Sequence, residues 1–169
     1  MSCLRSAFVS NDAAAIADLF ATATLGSPER AVGFVLWRVM HRYVREADRL
    51  LAYFDLTHLQ FQTLALAAWL GRSGEPVTQV DLARAGDIGT MQVSQMMKAL
   101  ESKGWVKRVR SPSDFRAKNV VLNPEGIAVL HRAFPPMIEL QRKLFGEDGA
   151  PGGRLLDALH RTESSAPDA

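Results

Sequence analysis

The stretch Thr90–Gly126, TMQVSQMMKALESKGWVKRVRSPSDFRAKNVVLNPEG, decides how this chain is read. From about Thr90 to Lys103 the apolar residues Val93, Met96, Met97 and Leu100 recur at i, i+3, i+4 and i+7, the spacing of one helix face. Gly104 stops that helix. Trp105–Arg110 and Ala117–Leu122 then read as two short strands around the loop Ser111–Arg116, a β-hairpin. Asn123-Pro124-Glu125 follows as a cap, a first-position proline and a first-turn acid, the start of another helix.

Working upstream, Thr78 caps a short helix, Gln79–Ala85, and Gly86-Asp87-Ile88-Gly89 is a turn. Two short helices joined by a tight turn and followed by a hairpin have the order of a winged helix-turn-helix. If the four apolar residues of the second helix face inward, Thr90, Met91, Gln92, Ser94, Gln95 and Lys98 face out. Glutamine pairs with adenine N6 and N7, serine bonds base edges or phosphates, and Met91 suits a thymine methyl. An ordinary solvated helix face would carry the same residue types. In the hairpin, Arg116 is placed to enter a narrow minor groove, with Asp114 to aim it, and Arg108 and Arg110 are placed to reach phosphates. Asp114 and Arg116 also fit a plain surface ion pair.

The remaining chain organises around this lobe. Residues 1–27 read as an N-terminal arm with a short helix over Asp12–Ala23, capped by Asn11. Ser27-Pro28-Glu29 predicts a helix from Pro28 to about Tyr53, in a segment 28–56 assigned to dimerisation. Leu36, Met40, Tyr43, Ala47 and Leu50 form one apolar stripe on it. Phe34, Trp37, His41 and Val44 form a second, and Arg38, Arg42, Arg45 and Arg49 a basic one. A helix apolar on two sides is covered on two sides, which calls for a partner subunit or a ligand cavity. Thr57 opens a helix to about Leu70, so the winged lobe spans 57–123. Residues 124–162 supply C-terminal dimerisation helices, one running to Phe145 with a kink at Pro135-Pro136 and one over Arg154–Arg161, joined by a linker at Gly146–Gly153. Residues 163–169 read as a disordered tail. The fold class is mainly α with a small β-hairpin wing.

Composition narrows the function. The chain has 169 residues and is 47% hydrophobic, enough for one core plus a dimerisation segment. Its net charge is only +2. Between Lys98 and Lys118, however, Lys98, Lys103, Lys107, Arg108, Arg110, Arg116 and Lys118 outweigh Glu101 and Asp114. That local excess suits a polyanion, and also a solvated basic face. No apolar run approaches a membrane span, and the first twenty residues lack the apolar core of a signal peptide, so a cytoplasmic protein is expected. Cys3 is the sole cysteine, which excludes an intrachain disulfide and a Cys-rich zinc site. The four histidines, His41, His58, His131 and His160, are scattered, and neither a Gly-rich phosphate loop nor a nucleophile elbow occurs. The expectation is no metal, no cofactor and no enzymatic activity.

Ser94–Val106 and Asp114-Phe115-Arg116-Ala117-Lys118, followed by Leu122-Asn123-Pro124-Glu125-Gly126, together resemble the MarR family of bacterial regulators. Leu56–Phe61 and Thr78–Ala83 fit the same pattern, and the likeness spans about residues 30–160. It implies a homodimer with interlocking first and last helices, a recognition helix in the major groove of duplex DNA, and Arg116 as the wing arginine with Asp114 as its acidic partner. Two positions depart from the family: Asn123 stands for the usual threonine, and Gln95 stands where many members carry arginine, which weakens guanine reading there. The resemblance also implies control by a small aromatic or phenolic acid. Trp37, Arg38 and His41, with His58 and Phe61 of the next helix, offer apolar walls and a few polar groups for such a ligand. Core packing accounts for the same residues. Some members sense peroxide through an N-terminal cysteine, but Cys3 in a frayed arm lacks the ordered setting this needs. The expected function is a repressor acting on a pseudo-palindromic operator. The alternatives are a winged-helix protein-interaction module and an architectural DNA binder without sequence preference.

Overall fold

The computed structural model describes residues 12–22, 27–110 and 118–165. It divides into two compact units, residues 1–42 and 43–169.

The first unit holds α1 (Ala13–Thr22) and the N-terminal half of α2 (Val32–Leu51). The cap of α1 is Asp12, whose carboxylate accepts from the backbone N–H groups of Ala14 and Ala15, both at 3.1 Å. The expected cap, Asn11, lies outside the described residues. Pro28 does not open α2. Ser27 makes no side-chain capping bond, Pro28–Arg30 form a single 3-10 turn, and Ala31 is extended at φ −86° and ψ 113°, so the helix starts at Val32. On this half of α2 the side chains from Val32 to Arg42 are all exposed.

The second unit carries the core. α2 contributes Tyr43, Ala47 and Leu51, then ends in a 3-10 turn over Ala52–Phe54 with Asp55 in the left-handed region. The fully buried residue at that end is Leu51, with Leu50 half-buried, so the stripe shifts by one position from the expected one. α3 (His58–Leu70) and α4 (Gln79–Gly86) both begin with reciprocal capping boxes, Thr57 with Gln60 and Thr78 with Asp81. Each box satisfies two backbone N–H groups that the helix start would leave orphaned. α5 (Thr90–Ser102) packs on both, burying Val93, Met97 and Leu100 beside Leu64 and Leu82.

Gly104, at φ +73°, turns the chain from α5 into β2 (Val106–Arg110). β2 pairs antiparallel with β3 (Lys118–Leu122), from Val106 opposite Leu122 to Arg110 opposite Lys118. A two-residue strand, β1 (Val77–Thr78), joins the other edge of β3, giving the order β1-β3-β2. The sequence reading missed β1, which is too short to carry a periodicity.

α6 (Pro124–Phe145) continues as helix through Pro135 and Pro136. Its start differs from the expected cap. The Asn123 side chain makes no capping bond. Its Nδ2 donates instead to the Gly104 carbonyl at 2.7 Å, and its backbone N–H donates to the Trp105 carbonyl at 2.9 Å. Gly126 permits this docking, because a Cβ there would lie 2.3 Å from the Trp105 carbonyl oxygen. A 3-10 turn over Gly146–Gly149 occupies the expected linker. α7 (Arg154–Ser165) runs past the expected end at Arg161, so residues 163–165 of the expected tail are helical.

Candidate nucleic-acid interface

α5 is held from beneath. Val93, Met97 and Leu100 are fully buried against α3 and α4, which fixes the rotation of the helix about its axis. Thr90, Met91, Gln92, Gln95 and Lys98 are thereby exposed, Met91 by 76%, while Ser94 is half-buried. Met96, expected in the core, is half-buried. Gly89 precedes the first turn and offers no side chain to cap it, so the first N–H groups of α5 have no side-chain cap from this position.

The basic excess on the hairpin resolves into two classes. Arg108 and Lys103 are tied to the protein. The Arg108 guanidinium grips the Glu101 carboxylate, with Nε to Oε2 at 2.9 Å, while the Arg108 backbone N–H donates to Oε1 at 3.1 Å. These bonds, first those of the side chain and then that of the backbone, hold the Glu101 carboxyl below its ordinary value of 4.5. Arg108 is therefore not the outward phosphate ligand the sequence suggested; it fastens β2 to the end of α5. Lys103 bridges to α3, reaching the Asp55 carboxylate at 3.1 Å, the Gln60 Oε1 at 3.2 Å and the Asp55 carbonyl. Lys98, Lys107, Arg110 and Lys118 remain exposed. Asp114 and Arg116 lie in 111–117, outside the described residues.

The five residues considered for a small ligand fall into two groups. In the first unit, the Trp37 and His41 rings are tilted by 49° with centroids 4.5 Å apart, and His41 Nδ1 lies 2.8 Å from the Trp37 carbonyl oxygen. Arg38 lies over Phe34, 5.8 Å from its centroid. In the second unit, Phe61 is core, meeting Phe134 edge-on at 5.3 Å, so it is not an open wall. His58 belongs to a polar cluster that sequence reasoning did not assemble. Its backbone N–H donates to Asp48 Oδ1 at 2.6 Å, its Nε2 lies 3.1 Å from Gln62 Nε2, and Tyr43 meets its ring edge-on at 5.2 Å. Gln141 Nε2 donates to the Tyr43 hydroxyl at 3.3 Å. Burial pushes the His58 pKa down, and Asp48 offsets part of that. The i, i+4 spacing of His58 and Gln62 was the available signal; Tyr43 and Gln141 are too distant in sequence to have been linked to it.

Among the described residues no group of His, Cys, Asp or Glu could hold a metal ion, and no helix is long and apolar enough to cross a membrane.

The sequence profile of the MarR family matches residues 54–117 of this chain. The HTH-type transcriptional regulator YdcH of Bacillus subtilis (strain 168) is 33% identical over 118 residues, covering 70% of this chain and 80% of its own. The chain belongs to the MarR family. MarR proteins are DNA-binding transcription regulators rather than enzymes, and this chain has their winged-helix fold. Two solved MarR-fold structures align over most of it. The S. aureus MepR–DNA complex matches with a TM-score of 0.70 and 24% identity, covering 82% of this chain and 99% of that one. Bordetella bronchiseptica BpsR, described by the regulation of its DNA binding by 6-hydroxynicotinic acid, matches with a TM-score of 0.68 and 25% identity, covering 81% and 95%.

Proposed function

We propose that this MarR-family regulator is a homodimeric repressor that reads a pseudo-palindromic operator with the exposed face of α5. The carrying observation is the division of that helix. Val93, Met97 and Leu100 are sealed in the core, leaving Thr90, Met91, Gln92, Ser94, Gln95 and Lys98 to meet base edges and phosphates. Arg110 extends the contact along the backbone, Arg108 sets the hairpin against α5, and Arg116 with Asp114 forms the minor-groove tip. Residues 57–123 form the DNA-binding lobe, and 28–56 with 124–162 the dimerisation segments. A small aromatic acid modulates its affinity, a reading supported by the regulation of BpsR by 6-hydroxynicotinic acid. Such an effector must bind the free and DNA-bound forms unequally.

Selection from a random duplex library with the full chain tests the core of this reading. The expected result is one palindromic motif with half-sites about one helical turn apart. Gln92→Ala and Gln95→Ala should each relax base preference by about 1–3 kcal/mol without abolishing binding. Unselective binding would favour an architectural role, and no binding a protein-interaction module.

A further inference from the structure

α5 presents a line of side chains opposite its buried face. At about 100° per residue, Met91, Gln95, Lys98 and Ser102 fall within about 50° of the direction opposite Val93, Met97 and Leu100, and all four are exposed. Gln92 and Ser94 lie to the two sides of this line, and Thr90 nearer the core. Packing on α3 and α4 fixes the rotation of the helix, so this line is what the floor of a groove meets first.

The four are chemically unequal. The Ser102 hydroxyl is committed within the helix, donating to the Ala99 carbonyl at 2.8 Å. Met91 is 76% exposed, and among the described residues beyond Tyr53 no large apolar side chain is more so. Its unbranched, polarizable thioether suits an apolar group. Between Thr90 and Ala99 the helix has no arginine, aspartate or glutamate. The bidentate guanine contact of arginine and the acceptor for cytosine N4 are therefore both missing from it. Lys98 can serve guanine, but it stands about 10 Å along the axis from Met91, away from the N-terminal turn that reaches base edges in helix-turn-helix docking. What remains near that turn is an apolar reader, Met91, and a carboxamide, Gln95, four residues on.

An A·T pair offers partners to both: a C5-methyl on thymine, and N6 and N7 on adenine. Residues four apart on a helix have Cβ atoms about 5–6 Å apart, a span of one to two base-pair steps at about 3.4 Å each. We propose that Met91 and Gln95 read neighbouring A·T pairs in each half-site, Met91 packing on the C5-methyl of a thymine and Gln95 bonding N6 and N7 of an adenine one or two pairs away. This pairing rests on α5 being the helix that reads the operator, and it assigns the chemical group that each of the two side chains recognises.

The test uses the full chain and the operator recovered by random selection, resynthesised with deoxyuridine in place of each thymidine in turn. That change removes the C5-methyl and leaves the base pairing intact. Affinities are read by fluorescence anisotropy. Uracil at one thymine of each half-site should weaken native binding about fourfold per methyl. The Met91→Ala protein should bind the thymine and uracil forms of that site alike, whereas Met91→Leu, which keeps an apolar side chain there, should retain the difference. 7-Deazaadenine at the adenine one or two pairs away lacks N7. It should weaken the native chain about fivefold, the worth of one hydrogen bond, and the Gln95→Ala protein hardly at all. A role in stability alone would move neither difference. An operator with no methyl-sensitive thymine, a uracil effect that persists in Met91→Ala, or a 7-deazaadenine effect equal in the native and Gln95→Ala chains would overturn the assignment while leaving α5 as the reader. A selection that returns no motif would overturn both.

Discussion

Arg108 and Arg110 stand two residues apart on β2, yet the structure gives them different work. Arg108 holds Glu101 with its side chain and backbone and has only 15% of its side chain exposed, whereas Arg110 is exposed. Replacing each by alanine should separate the two roles. Arg110→Ala should weaken operator binding and lower the slope of log affinity against log salt by about one, the loss of a single phosphate contact. Arg108→Ala should lower the urea midpoint by the equivalent of about 1 kcal/mol, the upper end for a partly exposed pair, and change the salt slope little. Equal salt slopes for the two variants would show that Arg108 also meets phosphate. In the sequence both residues are members of one basic run. Distinguishing them needs the turn at Gly104, which carries β2 back along the end of α5 and brings residue 108 to residue 101. Lys103 was hidden for the same reason, because its partners Asp55 and Gln60 lie more than forty residues upstream.

At the scale of elements, what was legible depended on the range of the interaction that fixes each boundary. The starts of α3 and α4 rest on contacts three residues apart, and Thr57 and Thr78 announced them. The start of α6 rests on Gly104 and Trp105, about twenty residues back, so Asn123 was correctly placed at the boundary but assigned the wrong bond. β1 exists only as a partner for β3 and has no local signal. The α4 box also carries a pH dependence. The Asp81 carboxylate accepts from the Thr78 backbone N–H at 2.9 Å and from its hydroxyl at 2.7 Å. These bonds lower its pKa from 3.8, the backbone bond first. A carboxyl with a depressed folded-state pKa stabilises the fold above the unfolded-state value, and that contribution is lost as pH falls through the folded-state value. Asp81→Ala should therefore cost about 1 kcal/mol at neutral pH, as losing a helix cap does. In acid denaturation curves the gap between variant and native chain should narrow below pH 3.8. A gap constant with pH would place the loss in packing and not in the charged cap.

For the molecule as a whole, the decisive question is its partner. On the N-terminal half of α2, Val32, Phe34, Val35, Leu36, Trp37, Val39 and Met40 are all exposed, Val32 by 84% and Trp37 by 54%. On the second unit, Phe134 and Ile138 of α6 and Leu155 and Leu159 of α7 are exposed as well. Monomers rarely present a contiguous apolar patch beyond a few hundred Å². The two-sided apolar pattern of α2 was visible in the sequence. What the sequence did not reveal is that the buried residues of this helix begin at Tyr43, with every side chain from Val32 to Arg42 exposed. A second copy fits best, since the same surfaces recur on it and an isologous contact closes the assembly. Leu36→Glu tests this cleanly. Leu36 is 48% exposed in one protomer, so the substitution leaves the added charge open to solvent there and costs most where a partner would bury it. Light scattering should give the mass of two chains for the native protein and of one for the variant, with the helical circular dichroism signal retained. Operator affinity should fall by about a hundredfold or more, because the two half-sites are then bound separately and the effective concentration of the second lobe is lost. A Leu36→Glu protein that remains dimeric would move the interface to Ile138 and Leu159, and the apolar N-terminal half of α2 would then require a different cover.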